Sequence, residues 1–547
     1  MIDKNTEISL PYNFFYLIAF VEGGAVLATE LICAQLFAPY FGNSLQTWAV
    51  ILISTLTALT AGYFSGGYLS KKKTEDGRRK TEERSQLFFL KSDTLLHKLN
   101  LCLLVATLAI ILQPFIAGKL IPVTLNTGII TGAFISAIFI LLPPLFFLGM
   151  LSPMLIQILS ADTTTSGKTS GLIYAISTSG GILFTFLFGF FLIPHFGMKT
   201  AIVLNSLIPA TLTGYLLLSQ KKNVFFWGFS LIMLSFFLLG INTGDTNQKV
   251  KKSYIKVHYN EYGLLGQLTV ADDNLAHSRS LFINHISQSF MYIPSGRSLW
   301  HYVHRLTHYC SVKSPSSKVL LAGMGGGLLV KELTGLHFIP DVIELDERMK
   351  NVSEKYFGLN AKINFHTDDF RHYVKTTFHR YDIIIIDISF GENQPSNIYT
   401  MESFMEIKKL LKEDGLFFIH FPDFLYGEEG LAVRSVGKTL IESGFFVKLL
   451  NTKHKPGSPG EIIFLATHKP VALENYLYDQ LPEFTKQYKF PTKNNLYLEG
   501  YSFEGGVILS DDKPIMDFLH EKTVMFSRKE GIEIVSKTLL EQGYGIF

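Results

Sequence analysis

The sequence predicts a two-part protein: a multi-span α-helical membrane region, then an α/β domain with a small antiparallel β-sheet at its N-terminal end. Three observations predict it. Long apolar segments dominate the chain before residue 242. From Tyr254 the pattern changes to short alternating strands, YIKVHY, GQLTVAD and RSLFINH, which read as a small antiparallel sheet over 253–296. Residues 318–387 then alternate apolar strands with helical stretches, and three of those strands end in acids, which reads as a parallel sheet with crossover helices. The expected division is 1–241 polytopic membrane domain, 242–252 linker, 253–296 β domain, 297–470 nucleoside-binding catalytic domain and 471–547 C-terminal extension.

The apolar region comes first. Of 547 residues, 48% are hydrophobic and 17% charged, a balance suited to a protein partly dissolved in lipid. About seven segments, 13–37, 47–69, 99–117, 127–148, 170–193, 200–218 and 224–241, are each long enough to cross a hydrocarbon core. No cleavable leader is expected, because the first apolar run is long and carries Glu22 and Glu30. The lysine- and arginine-rich loop 71–98 predicts a cytoplasmic side, and with it a cytoplasmic N-terminus. Seven full crossings would leave the C-terminal part outside, so one segment is expected to be re-entrant. The choice falls on 127–160, interrupted at Pro143, Pro144 and Pro153, which keeps the C-terminal domain cytoplasmic. Gly62, Gly66, Gly67, Gly180 and Gly181 are expected at close helix contacts. Glu22 and Glu30 share roughly one helix face, either as functional acids or as packing hydrogen bonds.

In the α/β part, Val319–Ala322 is a buried-type strand followed by Gly323, Gly325, Gly326 and Gly327, which let the backbone turn tightly against a ligand. Strand 341–345 carries Glu344, with Asp346 just beyond. Glu344 lies about twenty residues past the glycines, where a carboxylate takes ribose hydroxyls, and this fits NAD and S-adenosylmethionine (SAM) equally. Asp368 and Asp369 follow strand 363–366, and Asp387 ends the apolar strand 383–386. These strand-end acids favour a SAM-type nucleoside site, because ligands of open parallel sheets sit outside the carboxyl ends of the strands. A net charge of +3 gives no argument for nucleic acid. Cys33, Cys102 and Cys310 have no disulfide or metal spacing. His301, His304 and His308 lie at metal-compatible helical spacing but lack an accompanying HExxH glutamate, and no metal is expected.

From Tyr254 to about Lys469 the chain resembles the spermidine synthase (polyamine aminopropyltransferase) family, and as a whole it resembles the membrane-fused spermidine synthase-like proteins. The resemblance rests on SLFINHISQS, LLAGMGGG, VIELDERM, DDFRHYV, YDIIIIDIS and IYTMESF. Before them come Glu30, FGNSLQTWAV and GGYLSKKK, and late in the chain LSDDKPIMDFL. It implies a Rossmann-like domain that binds SAM or decarboxylated SAM. Glu344 would hold the ribose hydroxyls. Asp369 would meet the adenine amine with Asp368 beside it, and Gln288 would touch the donor. The glycine loop would pass under the methionine-derived arm. Asp387 would help deprotonate the attacking amine.

Departures from the family pattern matter as much. The acid normally inside the glycine loop is replaced by Gly326, which is expected to remove repulsion, open space and admit intact SAM. The second acid of Asp-x-x-Asp is Phe390, and Tyr302 replaces the acid after His301. A pocket so short of carboxylates suits an acceptor other than plain putrescine. His301, Tyr399 and Phe390 are its candidate lining, with 391–397 as a lid. The expected partners are the lipid bilayer, a small amine or membrane-delivered acceptor, and a second copy of the chain. A non-catalytic SAM sensor coupled to a transporter-like helical region is the alternative. The pair Asp511–Asp512 reads as helix capping ahead of Pro514.

Overall fold

A computed structural model describes residues 11–42, 44–70, 84–160, 166–219, 254–263, 265–388, 394–450, 452, 457–471 and 497–535. These fall into two compact units. One holds the described residues up to 219 together with 261–266, and the other holds 254–260 and the described residues from 267 onward.

The first unit is helical: α1 (Tyr12–Phe41), α2 (Leu45–Leu69), α3 (Arg84–Thr124), α4 (Ile129–Ile140), α5 (Leu142–Gly149), α6 (Leu151–Leu159), α7 (Ser166–Phe186) and α8 (Ile193–Ser219). Five helical stretches among the described residues are long and apolar enough to cross a membrane: Tyr12–Phe41, Leu45–Leu69, Leu95–Thr127, Leu142–Leu159 and Ser166–Leu216. The expected segment 170–193 falls within the last, and 200–218 overlaps it up to Leu216; this stretch bends at Gly197 (φ 77°, ψ 170°). The expected segment 127–148 is not one helix. It divides at Leu141, because Pro143 and Pro144 lack the N–H groups that a continuing helix needs. Segment 224–241 lies outside the described residues.

Helices α1 and α7 approach closely. A Cβ on Gly23 would lie 1.9 Å from the Ser177 carbonyl oxygen, and one on Gly180 would lie 1.9 Å from that of Phe20. Gly62 and Gly66 likewise face the Phe146 and Met150 carbonyls, whereas Gly67 faces open space and makes no such contact. Glu22 is buried and packs by hydrogen bonding: Ser152 and Ser177 both donate to its Oε2, at 3.2 and 2.8 Å.

Two sheets follow, with all of their residues outside 261–266 lying in the second unit. The smaller runs in order β1 (Ile255–Gly263), β2 (Gly266–Asp273), β3 (Ser278–Ile283), β4 (Ile286–Tyr292) and β5 (Arg297–Ser298). Helix α9 (His301–Cys310) follows, so the expected helix start at Arg297 is corrected to His301. The larger sheet has seven strands in the order β11-β12-β10-β9-β6-β7-β8. They are β6 (Val319–Ala322), β7 (Asp341–Glu344), β8 (Asn364–Thr367), β9 (Tyr381–Ile386), β10 (Leu411–Asp423), β11 (Phe446–Leu450) and β12 (Gly460–Thr467). Strands β6 to β10 are parallel, and β12 runs antiparallel to both β10 and β11.

The helices of this unit are α10 (Leu328–Gly335), α11 (Arg348–Phe357), α12 (Phe370–Thr376), α13 (Met401–Leu410), α14 (Leu431–Glu442), α15 (Met516–Leu519) and α16 (Glu521–Val535). Sheet side chains alternate faces, so an unbroken isoleucine run requires apolar cover on both sides. Ile383 and Ile385 join one core with Tyr309, Leu329 and Phe418, while Ile384 and Ile386 join another with Phe404, Phe417 and Ile419.

Candidate active site

The sheet register places the site. Ala322 pairs with Ile343 on one side and Ile386 on the other, and Ile386 pairs with Ile419. One residue beyond, Glu344, Gly323, Asp387 and His420 stand in a row along the carboxyl edge. Strand β8 continues the row through Glu344 paired with Thr367, which brings Asp368 and Asp369 just past the edge.

Gly323 is required by the crossing of two loops. Its φ is +89°, and a Cβ there would lie 2.1 Å from the Asp387 carbonyl oxygen. Gly325 and Gly327 also have positive φ, and α10 begins immediately after Gly327. Gly326 donates its N–H to Ser289 Oγ at 2.8 Å. The expectation that Gly326 opens space is corrected: a Cβ there would meet Ser289 Cβ at 2.9 Å and Phe357 Cδ1 at 3.2 Å, so that room is already filled.

Glu344 ties the loop to the sheet. Its Oε2 accepts the Met324 N–H at 2.9 Å, and its Oε1 accepts that of Asp346 at 3.0 Å. Burial pushes its carboxyl upward, opposed by those backbone donors. Each oxygen keeps a lone pair that a ribose hydroxyl can use. Asp346 is engaged structurally: Arg348 binds both its oxygens and donates its backbone N–H, at 2.6–3.2 Å. Asp369 caps α12 by accepting the His372 N–H at 3.0 Å, and Asp368 contacts the His372 ring at 2.9 Å. Gln288 lies on β4 with its amide 3.3 Å from the Ser287 carbonyl, and its own carbonyl lies beside Gly325.

At the other end of the row, Asp387 has two partners. His420 Nδ1 is 2.7 Å from Oδ1, and the Tyr302 hydroxyl donates to Oδ2 at 3.2 Å. His420 Nε2 in turn contacts Glu461 Oε2. Ionised carboxylates only accept, so a ring that bridges two of them must carry a proton on each nitrogen. Burial disfavours that cation, but the charges and hydrogen bonds of Glu461 and Asp387 outweigh it and raise His420 to about 9. The Tyr302 ring stacks flat on the imidazole, with centroids 3.6 Å apart and planes 7° apart. Burial and the Asp387 charge hold the Tyr302 phenol well above its usual range. The cluster is two carboxylates and one imidazole, with Asp387 the carboxylate residue next to the glycine loop.

Of the expected acceptor residues, His301 is exposed at the start of α9, while His304 and His308 are buried. His304 contacts the Ser298 carbonyl at 2.9 Å. Tyr399 is fully buried, donates to Gln394 Oε1 at 2.5 Å and packs edge-on against Phe421. Phe390 and residues 391–393 of the expected lid lie outside the described residues. Asp511 is not a helix cap, because α15 starts at Met516. It accepts Arg371 at 3.0 and 3.1 Å and Thr400 Oγ1 at 2.6 Å.

Sequence reasoning missed His420 and Glu461. The signal available was one ionisable residue inside the apolar run LFFIHF, where an unpaired polar group is costly.

Residues 300–439 match the spermine/spermidine synthase domain family. Over 492 residues the chain is 24% identical to polyamine aminopropyltransferase 2 of Aquifex aeolicus, spanning 86% of this chain and 90% of that protein. Over 128 residues it is 32% identical to polyamine aminopropyltransferase of Vibrio vulnificus, spanning 22% of this chain and 43% of that protein. The solved spermidine synthase of Thermotoga maritima matches at 17% identity and TM-score 0.36, covering 44% of this chain and 82% of that one. Residues 300–439, which carry the strand-end acids on one sheet edge, are thus similar to the spermine/spermidine synthase domain, and the chain is an aminopropyltransferase-like enzyme.

Proposed function

We propose that the chain is a membrane-bound transferase. It moves the three-carbon arm of decarboxylated SAM, or of SAM itself, onto an amine that carries less charge than a diamine. The observation that carries this reading is the row Glu344–Gly323–Asp387–His420 along one sheet edge. In this reading Glu344 holds the ribose, Asp368 and Asp369 face the base, and the glycine loop lies under the sulfonium arm. An amine attacks only when neutral. Asp387, within reach of the arm, takes its proton. The amine lone pair then forms the new C–N bond, and the electrons of the broken C–S bond leave on sulfur as a neutral thioether.

The acceptor end supports a lightly charged amine. His420 neutralises one of its two neighbouring carboxylates, leaving one net negative charge where a diamine would need more. The five apolar helices, with Leu52, Leu56, Phe64, Phe186 and Phe190 exposed on them, support residence in a bilayer. A cytoplasmic C-terminal unit is part of the reading, since SAM is made there.

The test is incubation of the purified protein with SAM or decarboxylated SAM and either butylamine or putrescine. The expected result is methylthioadenosine, with kcat/KM at least about tenfold higher for butylamine. S-adenosylhomocysteine as the product, or a preference for putrescine, overturns the reading. Tight binding without either product would favour the sensor, which the missing acid at Gly326 supports.

A further inference from the structure

We propose that Tyr302 determines which amine the site accepts: it fills the place beside Asp387 with a neutral hydroxyl, so a second ammonium finds no unpaired carboxylate there; this rests on the transferase reading above. Asp387 is met on both oxygens, by His420 Nδ1 at 2.7 Å from Oδ1 and by the Tyr302 hydroxyl, which donates to Oδ2 at 3.2 Å. The Asp387 side chain is 19% exposed, so an amine can still approach it. An amine bonded to Oδ2 is then a neighbour of the phenol oxygen. The remaining carboxylate of the cluster, Glu461, is already paired with His420.

Tyr302 is fixed in that place. It is the second residue of α9, its ring lies flat on the His420 imidazole with centroids 3.6 Å apart, and the neighbouring Val303 and Leu306 anchor the helix in the core. Its phenol stays neutral, because burial and the Asp387 charge both oppose ionisation. Tyr399, the other phenol facing Asp387, is committed to Gln394. A hydroxyl gives Oδ2 a hydrogen bond without adding charge. A carboxylate at the same backbone position would put a second negative charge close to the base. A monoamine needs only the first charge, whereas a diamine is held by both, so the phenol tilts the choice toward the monoamine. The same bond, together with that of His420, sets the plane of the Asp387 carboxylate toward the incoming amine. In that respect Tyr302 is a positioning residue.

The test uses the full-length protein with decarboxylated SAM and compares kcat/KM for putrescine and butylamine in three variants. Tyr302→Glu and Tyr302→Gln both lose the ring stack and differ chiefly in charge. The putrescine-to-butylamine ratio is expected to be about tenfold higher in Tyr302→Glu than in Tyr302→Gln. Equal ratios overturn the proposal. Tyr302→Phe keeps the stack and removes only the hydroxyl, so it decides the matter if the other two do not fold. It is expected to lower kcat about tenfold, leave donor KM unchanged and keep the preference for butylamine, a split that a merely structural role would not produce. Wild-type kcat in Tyr302→Phe, or a preference moved toward putrescine, overturns the proposal. These outcomes leave the transferase reading intact. Absence of methylthioadenosine from the wild type overturns that reading and the role of Tyr302 with it.

Discussion

Asp387 is contacted from two directions, by the His420 ring and the Tyr302 hydroxyl. Both contacts hold its oxygens in place, where the proposed function has it take the acceptor's proton. Asp387→Asn is therefore expected to lower kcat by about 10²–10⁴-fold while donor affinity changes little. Single-turnover rates with calorimetric donor binding check this, and equal losses in both would remove the assigned role. The histidine also leaves a mark on stability. Its ordinary value of 6.5 rises to about 9 on folding, so the native state holds more protons than the unfolded chain between those values. The stabilisation is fully present below about 6.5 and disappears as pH rises through about 9. Urea midpoints of the wild type should fall over that window, and His420→Gln should flatten the fall. Gly323 makes a third case. Alanine there combines a φ of +89° with a Cβ 2.1 Å from the Asp387 carbonyl, so the loss should exceed the ~1–3 kcal/mol of backbone strain alone. A Gly323→Ala protein with native stability and activity would contradict this crossing.

Elements of the second unit were legible because their apolar runs are short and end in glycine or acid. The expected strands 341–345, 363–366 and 383–386 lie within two residues of β7, β8 and β9 at each end. Strand β10 is longer than its apolar run LFFIHF suggests. Its apolar core is six residues, but it pairs with β9 on one side and β12 on the other, which extends it to Leu411–Asp423. That double pairing also explains why the His420–Glu461 contact was invisible: the two lie 41 residues apart and meet only through the antiparallel β10–β12 register. The Asp511 partnership was hidden for the same reason, since local pattern suggested a cap and Arg371 is 140 residues away. Arg371 is nearly buried and joins α12 to Glu406 on α13 and to the Asp511 segment. Its loss strands two acids. Arg371→Met should cost about 2–4 kcal/mol, somewhat less than a fully buried pair because Asp511 is 44% exposed. Chemical denaturation measures it, and a cost below about 1 kcal/mol would make the cluster a surface pair.

At the scale of the whole molecule, an apolar helical unit is joined to an aminopropyltransferase-like domain, and under the proposed function, with a SAM-type donor made in the cytosol, the side of the bilayer decides whether the site can work. Sequence gave the helices readily, because long apolar runs are unambiguous, but sidedness depends on whether each run crosses. The apolar stretch breaks at Leu141 after the twelve-residue helix Ile129–Ile140, while Leu142–Leu159 is itself long enough to cross, so helix lengths alone leave the side of the second unit to experiment. Labelling can decide it. Cys33, Cys102 and Cys310 are all buried, so the native chain offers an impermeant maleimide little background. Phe378 is 99% exposed in the loop before β9, so a cysteine there should react readily without disturbing the core. In intact cells Phe378→Cys should remain unlabelled, and after the membrane is opened it should label fully. Labelling in intact cells would place the second unit outside, away from the cytosolic SAM pool. The transferase reading would then need a donor supplied from the exterior.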